Sequence, residues 1–81
     1  MTDRPIFDHI NELSNEEARL WERAADGGGL STADQERLET IKVELDQCYD
    51  LLHQRQGRRD SGLDPDAAEV RPPEVVEGYE Q

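Results

Sequence analysis

Two histidines and two carboxylates are the side chains in this sequence best suited, by type and spacing, to do chemistry. His9 and Glu12 stand three residues apart, as do Asp50 and His53. At that spacing a helix puts a carboxylate and an imidazole on one face. Paired Glu-x-x-His segments hold two metal ions in some helical bundles when they project inward. A small metal-binding bundle using His9, Glu12, Asp50 and His53 is therefore one reading. Ile10 and Leu52 weaken it, because they take the inward positions and leave both histidines at the flank. With 20 acidic residues among 81, such spacings also arise readily by chance.

The other candidates favour structure over chemistry. Cys48 is the single cysteine; it falls on an apolar stripe, where a thiol packs as a small hydrophobe. Gly27-Gly28-Gly29 follows no strand and precedes no Lys-Ser/Thr pair, so it is a turn and not a phosphate loop. No nucleophile is paired with a base. The sequence predicts no catalytic residue, no resident metal and no cofactor, and so a protein that is not an enzyme.

The elements that carry these residues read as helices. Ile6, Ile10, Leu13, Glu17, Leu20 and Ala24 recur at spacings of four and three, an a/d register with one polar intruder. This predicts a helix over 3–25, started by Thr2 or Asp3 with Pro5 in its first turn. A glycine turn follows at 26–31. A second helix is expected over 32–58, with Thr32 and Gln35 as a capping box and Leu30 as its staple. Leu38, Ile41, Leu45, Cys48 and Leu52 continue the a/d pattern to Arg55, and Gly57 or Gly62 marks the end. A short connection forces two such helices antiparallel, setting Ile10 opposite Cys48, Leu13 opposite Leu45 and Leu20 opposite Leu38. Glu17 becomes the register-setting seam residue, with Lys42 or Arg37 as its partner. The same fold brings Asp3 and Asp8 toward Arg55, Arg58 and Arg59.

The expected fold is thus all-α: an antiparallel, coiled-coil-like two-helix hairpin over 1–59, followed over 60–81 by an acidic, largely irregular tail. Residues 65–69 of the tail can form a short helical turn behind Asp64, whereas Pro72 and Pro73 block a longer helix. A solvated tail is the expectation. Docking of Val70, Val76 and Tyr79 along the hairpin is its rival.

Charge limits the partners. The chain carries a net charge of −11, and 60–81 hold seven acidic side chains against one basic. Such a field opposes phosphate backbones and anionic membrane surfaces, and leaves a basic protein surface as a compatible partner. The absence of a signal-peptide pattern and of an apolar run near 20 residues leads to the expectation of a cytoplasmic protein. Only 33% of the residues are hydrophobic, against about 45–50% (glycine included) in ordinary globular chains. Two helices cannot enclose their own seam, so a homodimer or another protein partner is expected. The interaction surface comprises Phe7, Trp21, Tyr49, Leu51, Arg55, Arg58, Arg59, Val76 and Tyr79, and the function is that of a non-catalytic interaction or regulatory module.

Several blocks carry a family resemblance. Leu45-Asp46-Gln47-Cys48-Tyr49-Asp50-Leu51-Leu52, the arginine-rich stretch through Arg59, Gly62-Leu63-Asp64-Pro65-Asp66 and Val76-Glu77-Gly78-Tyr79 are similar to a family of short, uncharacterised actinobacterial proteins. Ile10-x-x-Leu13 and the glycine hinge extend the likeness over nearly the whole chain. The resemblance implies an actinobacterial, cytosolic origin and no activity, and it favours docking of the tail.

Overall fold

The computed structural model describes residues 2–76 of the chain. Two long helices account for most of them: α1, Arg4–Gly27, and α2, Thr32–Asp60. A 3-10 turn, Pro65–Ala67, and a short helix, α3, Pro73–Val76, complete the fold. α1 packs against α2, and both tail elements pack against α2 as well.

Local chemistry sets the ends of each helix. Asp3 occupies the N-cap of α1, but its side chain accepts no capping bond from the helix; the Arg4 amide donates instead to Thr2 Oγ1, at 3.3 Å. At the other end Gly28 takes φ 85°, a left-handed conformation that side chains with a Cβ resist. This allows the Gly29 amide to donate back to Ala24 O at 2.8 Å. The N-cap of α2 lies one residue before the predicted one. It is Ser31, whose Oγ accepts from the Asp34 amide at 3.1 Å. The helix runs through Gly57, and its end is set by Gly62 (φ 73°), beyond which the Leu63 amide donates to Arg58 O at 2.7 Å.

Both a/d stripes are buried between the long helices. Leu13, Leu20, Ile41 and Cys48 form the core, with Ile6, Ile10, Leu38 and Leu45 packed against it. Ion pairs show the relative direction of the helices. Asp3, at the start of α1, meets Arg55 near the end of α2, whereas Arg23, near the end of α1, meets Asp34 in the first turn of α2. Glu17 is half-buried, but Arg37 turns to its neighbour Glu16 in a bidentate pair at 2.5 and 2.7 Å.

Residues 63–76 pack on α2, where a solvated tail was expected, and are irregular outside the 3-10 turn and α3. The segment returns along α2, with Asp64 Oδ1 capping the 3-10 turn by accepting from the Asp66 amide at 2.9 Å. Val76 is fully buried. Tyr79, the other residue of the docking alternative, lies outside the described residues.

Candidate functional site

Among the described residues, two of the three buried charged side chains lie on the rear face of α2. Asp46 and Asp50 lie one turn apart, on the side of the helix away from Ile41 and Cys48, and both are buried. A carboxylate is costly to bury unless it is paired and hydrogen-bonded. Arg71 meets this need at Asp50: its Nε donates to Oδ2 at 2.7 Å and its Nη2 donates to Oδ1. Gln54 Nε2 adds a bond to Asp50 Oδ2 at 2.9 Å and another to the Glu69 carbonyl at 2.8 Å. Gln47 Nε2 donates to the Arg71 carbonyl at 3.1 Å. Two glutamine side chains thus hold the tail by its backbone, and one arginine holds it by charge.

Arg55, near the end of α2, joins the start of α1 to the 3-10 turn. Its guanidinium, 4% exposed, donates to Asp3 Oδ1 at 2.5 Å, to the Pro65 carbonyl at 3.2 Å and to Asp66 Oδ1 at 3.0 Å. Arg59 closes on Asp3 from the other side, at 3.0 and 2.8 Å. Hydrogen bonds from Arg59 and Arg55 hold the Asp3 carboxyl down to about 2. The bond from Arg55 lowers Asp66 in the same way, and that from Arg37 lowers Glu16.

These placements correct part of the predicted interaction surface. Arg55 and Val76 are buried within their own chain, the first as an ion-pair hub and the second under the tail. Leu51 is half-buried and lines a groove of about 410 Å³ with Pro5, Ile6, His9, Cys48 and Val70. Phe7, Trp21 and Tyr49 remain exposed, at 51%, 56% and 39%. Trp21 shares a groove with Leu30, Gln35, Leu38 and Glu39, whereas Phe7 shares one with Leu52, His53, Gln56 and Arg59. The two aromatics therefore mark opposite ends of one edge of the helix pair.

The metal reading loses its geometry. His9 Nδ1 lies 4.0 Å from Glu12 Oε2, both well exposed, whereas Asp50 is sealed under Arg71 on the rear of α2. Among the described residues no group of three or more His, Cys, Asp or Glu side chains is placed to hold a metal ion. Burial pushes the Cys48 thiol up, away from the thiolate that nucleophilic chemistry needs.

Reading the residues singly missed Asp46 and Arg71, and gave Asp50 a metal-ligating alternative in place of its ion pair. The available signal was Arg71 itself, the only basic residue among 60–81, together with two carboxylates one turn apart on the side of α2 opposite its apolar stripe.

These features define a small all-α protein of two long packed helices, with its described C-terminal segment clamped on the second. The chain belongs to the family described as Protein of unknown function (DUF2630), which it matches over residues 2–81. Similar chains include uncharacterised proteins of Mycobacterium bovis and Mycobacterium tuberculosis, each 45% identical over 78 residues, covering 96% of this chain and 90% of the relative. No solved structure matches it. No helix among the described residues is long and apolar enough to cross a membrane.

Proposed function

We propose that this protein is a non-catalytic protein–protein interaction module of the cytoplasm, a coiled-coil-like antiparallel hairpin that regulates or scaffolds through its surface. One observation carries this reading. The charged groups with the most unusual surroundings, Asp3, Asp50 and Arg55, are spent on internal pairs, while three aromatic side chains stand exposed along one edge. Exposed aromatics are enriched where proteins meet, and aromatic anchors dominate binding energy there. The net charge of −11 suits a partner that presents a basic rim.

In-cell cross-linking in an actinobacterial host, followed by reconstitution with purified components, tests the proposal. The wild-type chain is expected to yield a defined protein contact that rebinds in vitro and is lost in Trp21→Glu. Stoichiometric bound metal in the purified protein would overturn the reading, as would contacts that Trp21→Glu leaves unchanged.

A further inference from the structure

The aromatic edge has a composition unlike the rest of the molecule. On α1 it runs Phe7, Asn11, Ser14, Ala18, Trp21 and Ala25, at spacings of four and three, and all six are exposed. None is charged, in a chain of which 36% is charged. This is a second heptad-type stripe beside the one that faces α2. On α2 the same spacing gives Gln35, Glu39, Lys42, Asp46, Tyr49, His53 and Gln56, in which Asp46 is buried and Glu39, beside Trp21, is the one exposed carboxylate. A protein of net charge −11 repels its own copies wherever carboxylates face one another, and this edge avoids that along most of its length.

The two ends of the edge differ in sign. Glu36 and Glu39 line the groove beside Trp21. His53 and Arg59 line the groove beside Phe7, and the one carboxylate there, Asp3, is already matched by Arg55 and Arg59. A parallel pair of copies would set glutamates against glutamates. An antiparallel pair sets the acidic end of each copy against the basic end of the other.

We infer that the aromatic edge is the contact surface of a second copy of this chain, docked antiparallel about a two-fold axis at Ser14. Phe7 and Trp21 are equidistant from Ser14, two heptads apart, or roughly 21 Å along the helix. The two-fold sets Phe7 of each copy against Trp21 of the other and brings Asn11 within one residue, about 1.5 Å along the helix, of level with Ala18, with the small Ser14 side chains meeting at the axis. The product is a four-helix bundle in which residues 63–76 of each copy stay outside, clamped on the far face of α2. A face about 27 Å long and two helices wide offers roughly 500 Å² per copy, near 1,000 Å² in all, at the low end of specific interfaces. The dimer is therefore concentration-dependent.

This inference rests on the reading of the edge as a protein contact, and two measurements separate their fates. Analytical ultracentrifugation of the full chain is expected to show a monomer–dimer equilibrium in the micromolar range. Phe7→Glu or Trp21→Glu shifts it to monomer with the far-UV helical signal retained. In mixed disulfide trapping, Asn11→Cys is expected to cross-link to Ala18→Cys at least tenfold faster than either variant cross-links to itself. A monomer at all accessible concentrations overturns the self-association. So does a dimer that tolerates both glutamate substitutions, or preferential trapping of Asn11→Cys with itself. A monomer whose contact with a different protein in cells still depends on Trp21 sinks the dimer and leaves the interaction reading standing.

Discussion

Asp3 sits between two guanidinium groups, and this makes a single residue at the start of the chain sensitive to acid. Its carboxyl is held at about 2, against an ordinary value of 3.8. A depressed carboxylate stabilises the fold fully above its unfolded value and loses that contribution as pH falls through the folded one. Stability should therefore decline between about pH 4 and pH 2, with Asp66 and Glu16, also lowered, adding to the fall. Asp3→Asn is expected to flatten this part of the profile in thermal melts followed by circular dichroism. Arg71 is the complementary case. Arg71→Ala takes the guanidinium from the buried Asp50 carboxylate while Gln54 stays bonded to it, and a buried charge deprived of its cation costs about 1–3 kcal/mol. The tail can relieve the cost by lifting and letting water reach Asp50. The expected readout is faster amide exchange over 63–76, with protection of the α1–α2 core nearly unchanged.

The long helices were legible in the sequence because one face of each is apolar at a/d spacing, and Leu13, Leu20, Ile41 and Cys48 are buried where that pattern puts them. The tail was not legible. α2 is covered on two opposite faces, and the second cover is built around charge, so Asp46 drew no notice and Asp50 read at most as a metal ligand until Arg71 is placed over it. The aromatic residues of the candidate surface could be found by their position beside the stripe. Arg55 could not be separated from Arg58 and Arg59, because burial depends on the tail that shields it. Helix limits moved for local reasons: Ser31 competes with Thr32 as cap, and Gly57 carries no signal that it lies inside the helix. Gly57 is helical with open space where a Cβ would stand. Gly57→Ala should therefore stabilise α2 by about 0.5–1 kcal/mol, raising the melting temperature by a few degrees, whereas Gly28→Ala, at φ 85°, should lower it.

As a whole the molecule is long and thin, 51 × 24 × 17 Å, with a core only one helix–helix seam wide. Few side chains then carry much of the stability. Ile41 is fully buried at the middle of that seam. Ile41→Ala is expected to cost about 2–5 kcal/mol, a large share of the roughly 5–15 kcal/mol that holds a typical domain together. Urea titration should show a sharply lowered midpoint, and a loss below 1 kcal/mol would mean that the seam is not the main source of stability. Charge bonds at both ends of the helix pair and along the rear of α2 supplement this narrow core, so high salt should weaken the exposed pairs before the buried Arg55 hub.

The position of that hub also separates its two partners by loop length. Asp3 precedes Arg55 by 52 residues, whereas Asp66 follows it by 11. Closing the shorter loop costs about 1.4 kcal/mol less in chain entropy. The pair with Asp66 is thus a local contact that α2 and the turn after it make between themselves, whereas the pair with Asp3 closes only once α1 has packed on α2.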